Sequence, residues 1–187
     1  MHRQAVATPA GGRYFSALML SLDIRSLLLN PQQVDGSLAP DDAVWMDDDV
    51  RPDAPLQVTG RVSVAGQDRF YFSGRFDGII TVDCKRCLTP VATKLGDRVT
   101  AIFSDAGGED TDDPDVFALS DGGATLDVRP VIREQWLLQV PSFVLCRPDC
   151  RGICPTCGID RNVGTCSCAP ASDSRWDALR AARSRAD

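Results

Sequence analysis

The stretch "RFYFSGRFDGIITVDC", residues 69–84, repeats its apolar residues with a period of two. Phe70, Phe72, Gly74, Phe76, Gly78, Ile80, Val82 and Cys84 share one parity. Successive side chains of an extended backbone point to opposite faces, so this pattern predicts one long amphipathic strand. Gly74 and Gly78 predict bends or bulges within it, as in a strongly coiled sheet. On the N-terminal side, "LQVTGRVSVAG" (56–66) places Val58, Gly60, Val62 and Val64 in alternation with polar residues, and Gly66-Gln67-Asp68 reads as a hairpin turn. On the C-terminal side, Val91, Thr93, Leu95, Val99, Ala101 and Phe103 form a third run, with Asp97 interrupting its face. The three runs predict an antiparallel meander.

Further out the signals change. "LMLSLDIRSLLLNP" (18–31) reads as a strand running into a short helical turn that stops at Asn30-Pro31. Residues 35–55 are rich in Asp and Pro and read as loop, with Trp45 and Met46 docking onto the core. Residues 104–123 form an acidic surface loop. They lack the ordered ligand alternation, central Gly and terminal Glu of a calcium loop. In "TLDVRPVIREQWLLQVP" (125–141), Ile132, Trp136 and Val140 fall at helical spacing, and Val128, Val131 and Leu138 widen the stripe. Asp127 is the expected N-cap, Pro130 fits the first turn and Pro141 ends the helix. "SDSRWDALRAARSRAD" (172–187) predicts a short C-terminal helix with a Trp176–Leu179–Arg183 face and arginines at 180, 183 and 185. The fold class is therefore α+β: a strongly coiled, barrel-like antiparallel sheet, one amphipathic helix and a C-terminal segment like a zinc ribbon. The expected organisation is a disordered tail over 1–17, an α+β core over 18–145, and a cysteine-rich metal-binding segment with a short helix over 146–187, packed on the core.

Composition narrows the function. Net charge is -6, but residues 1–128 carry 11 Lys+Arg against 20 Asp+Glu, and residues 129–187 carry 9 against 6. Phosphate binding is driven by Lys and Arg displacing counterions, so an acidic chain is a poor general ligand of nucleic acid. The C-terminal third is the candidate for any basic RNA-facing surface. The single histidine is His2, in the expected tail. That removes the usual general base and disfavours Ser-His or Cys-His catalysis. No run of apolar residues is long enough to span a membrane, and the start lacks the pattern of a secretory signal.

Eight cysteines without such a signal point to a reducing compartment, the cytoplasm, where clustered thiols more often hold metal than form disulfides. They fall into four pairs: Cys84-x2-Cys87, Cys146-x3-Cys150, Cys154-x2-Cys157 and Cys166-x-Cys168. Short spacing lets one tight turn aim two thiolates at one ion, and Gly158 suits the positive φ of a knuckle. Two four-thiolate sites follow. Cys154, Cys157, Cys166 and Cys168 make a local ribbon-like site. Cys84, Cys87, Cys146 and Cys150 make a second, closing the long segment between them. Zinc, as one or two ions, is the expected metal; iron–sulfur binding and thiol redox chemistry are the alternatives. Lys85, Arg86, Arg147, Arg151 and Arg161 either neutralise the thiolates or present a basic patch.

"VDCKRCLTPV", "LDVRPVIREQWLLQVP", "LCRPDCRGICPTCGIDRNVGTCSC" and "DSRWDALR", in that order, resemble the YceD family of bacterial proteins. The resemblance covers roughly residues 18–183 and is most specific in its later part. It implies a non-enzymatic cytoplasmic factor in large-subunit ribosome biogenesis that supports accumulation of 23S rRNA. It supplies no catalytic residues. The expected partner is a ribosomal protein, large-subunit rRNA or a pre-ribosomal particle. The acidic N-terminal two-thirds favours a basic ribosomal protein over naked RNA. No membrane and no small-molecule substrate is expected. The competing readings are a thiol- or metal-dependent oxidoreductase and a zinc-stabilised protein-interaction module.

Overall fold

The alternation over residues 69–84 becomes one strand in the computed structural model, which describes residues 20–105, 116–169 and 173–183. The elements are β1 (Ser21–Asp23), α1 (Ile24–Leu29), β2 (Gln32–Leu38), β3 (Leu56–Val64), β4 (Arg69–Asp83), β5 (Pro90–Ser104), β6 (Val116–Ala118), β7 (Thr125–Asp127), α2 (Arg129–Gln139) and α3 (Asp177–Arg183). The larger sheet has the order β2-β3-β4-β5-β6, and β1 pairs with β7 in a small second sheet. β2–β3 and β3–β4 are antiparallel. The turn between β3 and β4 places Gly66 at φ 137° and Asp68 at φ 55°. The connection from β4 to β5 is too short for a parallel crossover.

Two compact units emerge. The first runs to Thr81 and resumes over Ala92–Pro141; the second joins Val82–Val91 to the chain from Ser142 onward.

The first unit has an aliphatic and aromatic core. Val58, Val62, Phe72, Phe76 and Ile80 line the inner face of β3 and β4, and Val99 and Phe103 continue it on β5. Residues of opposite parity on β4 are exposed, so one face of the sheet is packed and the other solvated. The helical stripe buries Val131, Ile132 and Trp136 against that face. The Trp136 ring meets Phe76 edge-on, with centroids 6.3 Å apart, and its Nε1–H donates to Val50 O at 2.7 Å. Gly78 makes room for this contact, because a Cβ there would press on Leu56 and Trp136. Gly60 and Gly74 face each other across β3 and β4. The ring of Phe72 lies over both, so neither position admits a side chain.

Several expectations need correction. The sheet is open rather than barrel-like: among the described residues no pairing joins β2 to β6, and closure would require it. The sheet is also not wholly antiparallel, since β6 pairs in parallel with β5. Met46 is exposed; Trp45 alone docks, with its Nε1–H on Ala39 O at 2.8 Å. Leu138 points to solvent at 70% exposure, because the buried arc is narrower than the sequence stripe. Asp127 is not the N-cap. It is tied into β7 opposite Ser21, and the helix starts one residue later, after Val128. The Asp127 carboxylate still accepts the Arg129 N–H at 3.0 Å and grips the Arg129 guanidinium at 2.7 Å. The expected 1–17 tail, His2, Arg185 and residues 106–115 of the acidic loop lie outside the described residues.

Candidate metal centres

The second unit is built around thiols. Among its described residues, every buried apolar side chain is a cysteine: Cys84, Cys87, Cys150 and Cys154. Val91 and Leu145 are the half-buried residues packed against the first three. A unit this small with so little aliphatic burial needs a staple, and disulfides or metal are the usual ones. All eight cysteines are free.

Two hooks of the same shape start the site. In the first, Leu88 N–H donates to Cys84 O and Cys84 N–H donates to Thr89 O, both at 2.9 Å. In the second, Gly158 N–H donates to Cys154 O at 2.9 Å. Each turn closes on a residue with positive φ, Leu88 at 61° and Gly158 at 74°. Gly158 carries no steric cost there; Leu88 does.

The chain then brings distant segments to the first hook. Lys85 N–H donates to Val144 O, and Ile153 N–H donates to Arg86 O, both at 2.9 Å. The Arg86 guanidinium donates to Cys150 O at 2.9 Å. Gly152, at φ 71°, permits the crossing, because a Cβ would lie 2.8 Å from Arg86 O. Cys84 and Cys150 sulfurs come within 3.8 Å, and Cys87 and Cys146 within 3.5 Å. Four thiolates on one tetrahedral zinc, each at about 2.3 Å, stand about 3.8 Å apart. Disulfide sulfurs stand about 2.05 Å apart.

The eight cysteines gather as two quartets, Cys84–Cys87–Cys146–Cys150 and Cys154–Cys157–Cys166–Cys168, with the sulfurs of each within 4.8 Å of one another. The first quartet is the more buried; in the second, Cys157 is exposed and Cys166 and Cys168 are half-exposed. Asn162, which no spacing rule singles out, lies between the segments. Its amide donates to Cys150 Sγ at 3.4 Å, and its carbonyl accepts from Arg147 and from Arg151 N–H at 2.8 Å.

The electrostatics suit a cation. At Cys84, burial pushes the thiol up, but the amides of Arg86, Cys146 and Cys87 outweigh it and hold it at about 6. At Cys154, the amides of Cys157 and Thr156 outweigh burial and hold it at about 5. Cys146 is pushed up to about 12, chiefly by burial, and Cys168 to about 12, chiefly by the Cys157 thiol. Cys150 is also held below the ordinary thiol value, with burial outweighed by the Asn162 amide and the Gly152 N–H. Each quartet thus holds sulfurs that ionise readily beside one that resists, as like charges at one site must. A divalent cation removes that conflict. The Cys154 thiol, with Cys166, raises the Arg161 guanidinium above its ordinary value, so one of the five nearby cations lies where it can neutralise thiolate.

The family described as "Large ribosomal RNA subunit accumulation protein YceD" matches residues 72–181. The chain belongs to the YceD family. The match begins inside β4 and takes in both quartets, α2 and most of α3; the YceD resemblance read from the sequence extends further toward the N-terminus. The uncharacterized protein Rv2926c of Mycobacterium tuberculosis is 35% identical over 80 residues, 41% of this chain and 38% of that protein. Mb2951c of Mycobacterium bovis is similar to the same degree. The uncharacterized YlbN of Bacillus subtilis is 26% identical over 119 residues, 63% of this chain and 67% of that protein. The chain therefore spans 38% of the length of the mycobacterial relatives. No solved structure matches. No helix among the described residues is long and apolar enough to cross a membrane.

Proposed function

We propose that this protein is a non-enzymatic accessory factor that supports accumulation of large-subunit ribosomal RNA in the bacterial cytoplasm, with its cysteine-rich unit held by two structural zinc ions. YceD membership carries the ribosomal part of this reading. A unit whose buried apolar residues, among those described, are all cysteines, with its eight cysteines gathered in two quartets, supports the metal part. Cys84, Cys87, Cys146 and Cys150 would hold one ion and Cys154, Cys157, Cys166 and Cys168 the other. Thiolate-only sets close all four positions of a tetrahedral ion, which suits a structural rather than a catalytic site. The unit then presents a fixed surface to a pre-ribosomal particle.

Depletion of the protein, followed by profiling of ribosomal particles, tests the role; the expected result is a fall in large subunits and 23S rRNA, and unchanged levels reject it. Elemental analysis of freshly purified protein tests the metal, with two zinc per chain expected. Well under one zinc per chain, or iron in its place, rejects that part. Alkylation of the loaded protein separates a structural role from thiol chemistry: eight protected cysteines support the first, and one fast-reacting thiol supports an oxidoreductase.

A further inference from the structure

The solvated face of the larger sheet carries an open groove of about 700 Å³. The short side chains of Thr59 and Ser73 line its floor, with the Gly60 and Gly74 backbone beside them. Arg61 on β3, Arg75 on β4 and Arg98 on β5 line it too, against one acid, Asp35. Arg75 is gripped by Asp77 through both carboxylate oxygens, at 2.8 to 3.1 Å. Among the described residues, Arg61 and Arg98 form no side-chain ion pair, and both are exposed. Three arginines therefore converge, two of them outside any side-chain ion pair among the described residues, in the part of the chain that carries 20 acids to 11 bases over residues 1–128.

We propose that this groove binds the phosphate backbone of RNA. Guanidinium forks match phosphate oxygens, and the Thr59 and Ser73 hydroxyls add neutral donors between them. Arg61 and Arg98 sit on strands separated by β4, which lie about 9.6 Å apart, so the charge is spread along a track rather than focused on one anion. The groove is open and has no aromatic lining, so its contacts position a backbone rather than read bases. Tyr71, on the same face of β4 and 39% exposed, offers a ring for one unstacked base beside that track. The identity of the polyanion rests on the ribosomal reading above; the charge of the groove stands by itself.

The test uses the full, zinc-loaded chain and fluorescence anisotropy with a labelled oligouridylate. Binding is expected to weaken with salt at a log–log slope of about -0.7 for each phosphate engaged, about -2 for three arginines. Arg61→Gln combined with Arg98→Gln should weaken binding at least about tenfold and flatten the slope by about 1.4. Both side chains are exposed, so the circular dichroism melt should not move. Arg25→Gln, on α1, should leave binding unchanged. Absent binding, or binding indifferent to the double variant, overturns the proposal. Polyglutamate bound as tightly as the RNA also overturns it and assigns the groove to an acidic protein. If depletion leaves ribosomal RNA unchanged while the oligouridylate still binds, the ribosomal reading falls and the groove stands, so the two failures are separable.

Discussion

Leu88 follows Cys84-x2-Cys87 in the left-handed region, at φ 61°, where its counterpart after Cys154-x2-Cys157 is Gly158. The side chain is 59% exposed and gains little from packing. A left-handed Cβ costs on the order of 1 kcal/mol. Leu88→Gly should therefore raise the thermal midpoint of the metal-loaded protein and leave its zinc content unchanged; calorimetry with elemental analysis checks this. A lower midpoint would mean that the Leu88 side chain holds something the exposed surface conceals. Gly74 shows the opposite constraint. A Cβ there would lie 2.5 Å from Thr59 O and 2.6 Å from the Phe72 ring. Gly74→Ala must shift backbone or evict a core ring, so it should cost on the order of 2 kcal/mol or more. Urea denaturation reads this directly, and a neutral result would show that β3 and β4 can separate without loss.

α2 is held on its inner side by packing and on its outer side by the loop before β3. Arg133 bonds Asp49 at 2.7 Å, and Arg129 reaches Asp42 at 3.4 Å. The Asp49 carboxylate is only 8% exposed, and the Arg133 hydrogen bond holds its pKa below the ordinary carboxylate value. A carboxylate depressed in the folded state binds its proton more weakly there than in the unfolded chain. Its contribution is therefore fully present well above the ordinary carboxylate pKa and is lost progressively as the pH falls through that value to the lower folded one. Asp49→Asn should lower stability at neutral pH and flatten the acid limb of the stability–pH curve. Melts recorded from neutral to strongly acid pH test this; an unchanged acid limb would place the acid sensitivity elsewhere. The length of β4 and the helical stripe were legible because periodicity reports a buried face. The helix start was not, because Asp127 has both cap chemistry and a strand partner, and pairing with Ser21 prevailed.

Across the molecule the two units differ in what holds them. The first buries Trp136, Phe72, Phe76 and Phe103 completely. The second buries cysteines. Structural zinc contributes about 10–16 kcal/mol in small peptides, more than a typical domain's whole stability. Chelation should therefore expose all eight thiols to alkylation and remove hydrogen-exchange protection over 142–169. Protection around Val99, Phe103 and α2 should persist, because none of the eight cysteines lies in that core. Loss of both regions together would refute this division.

Local spacing made the three long strands β3, β4 and β5, the main helix, the thiol hooks and the family legible in the sequence; β2, β6 and β7 fell in stretches read as loop or helix, because each is short and owes its pairing to a distant partner. Two thiols on one turn are a neighbour relation, and so is a period of two. Long-range pairing and packing settle what spacing leaves open: the sheet does not close, Asn162 reaches a Cys150 sulfur, and Arg61, Arg75 and Arg98 share a groove. Charge counted along the chain pointed to the C-terminal third for basic surface. The three arginines are dispersed among acids in the sequence and converge only when strands pair, since a sheet sets side by side residues that the chain keeps apart.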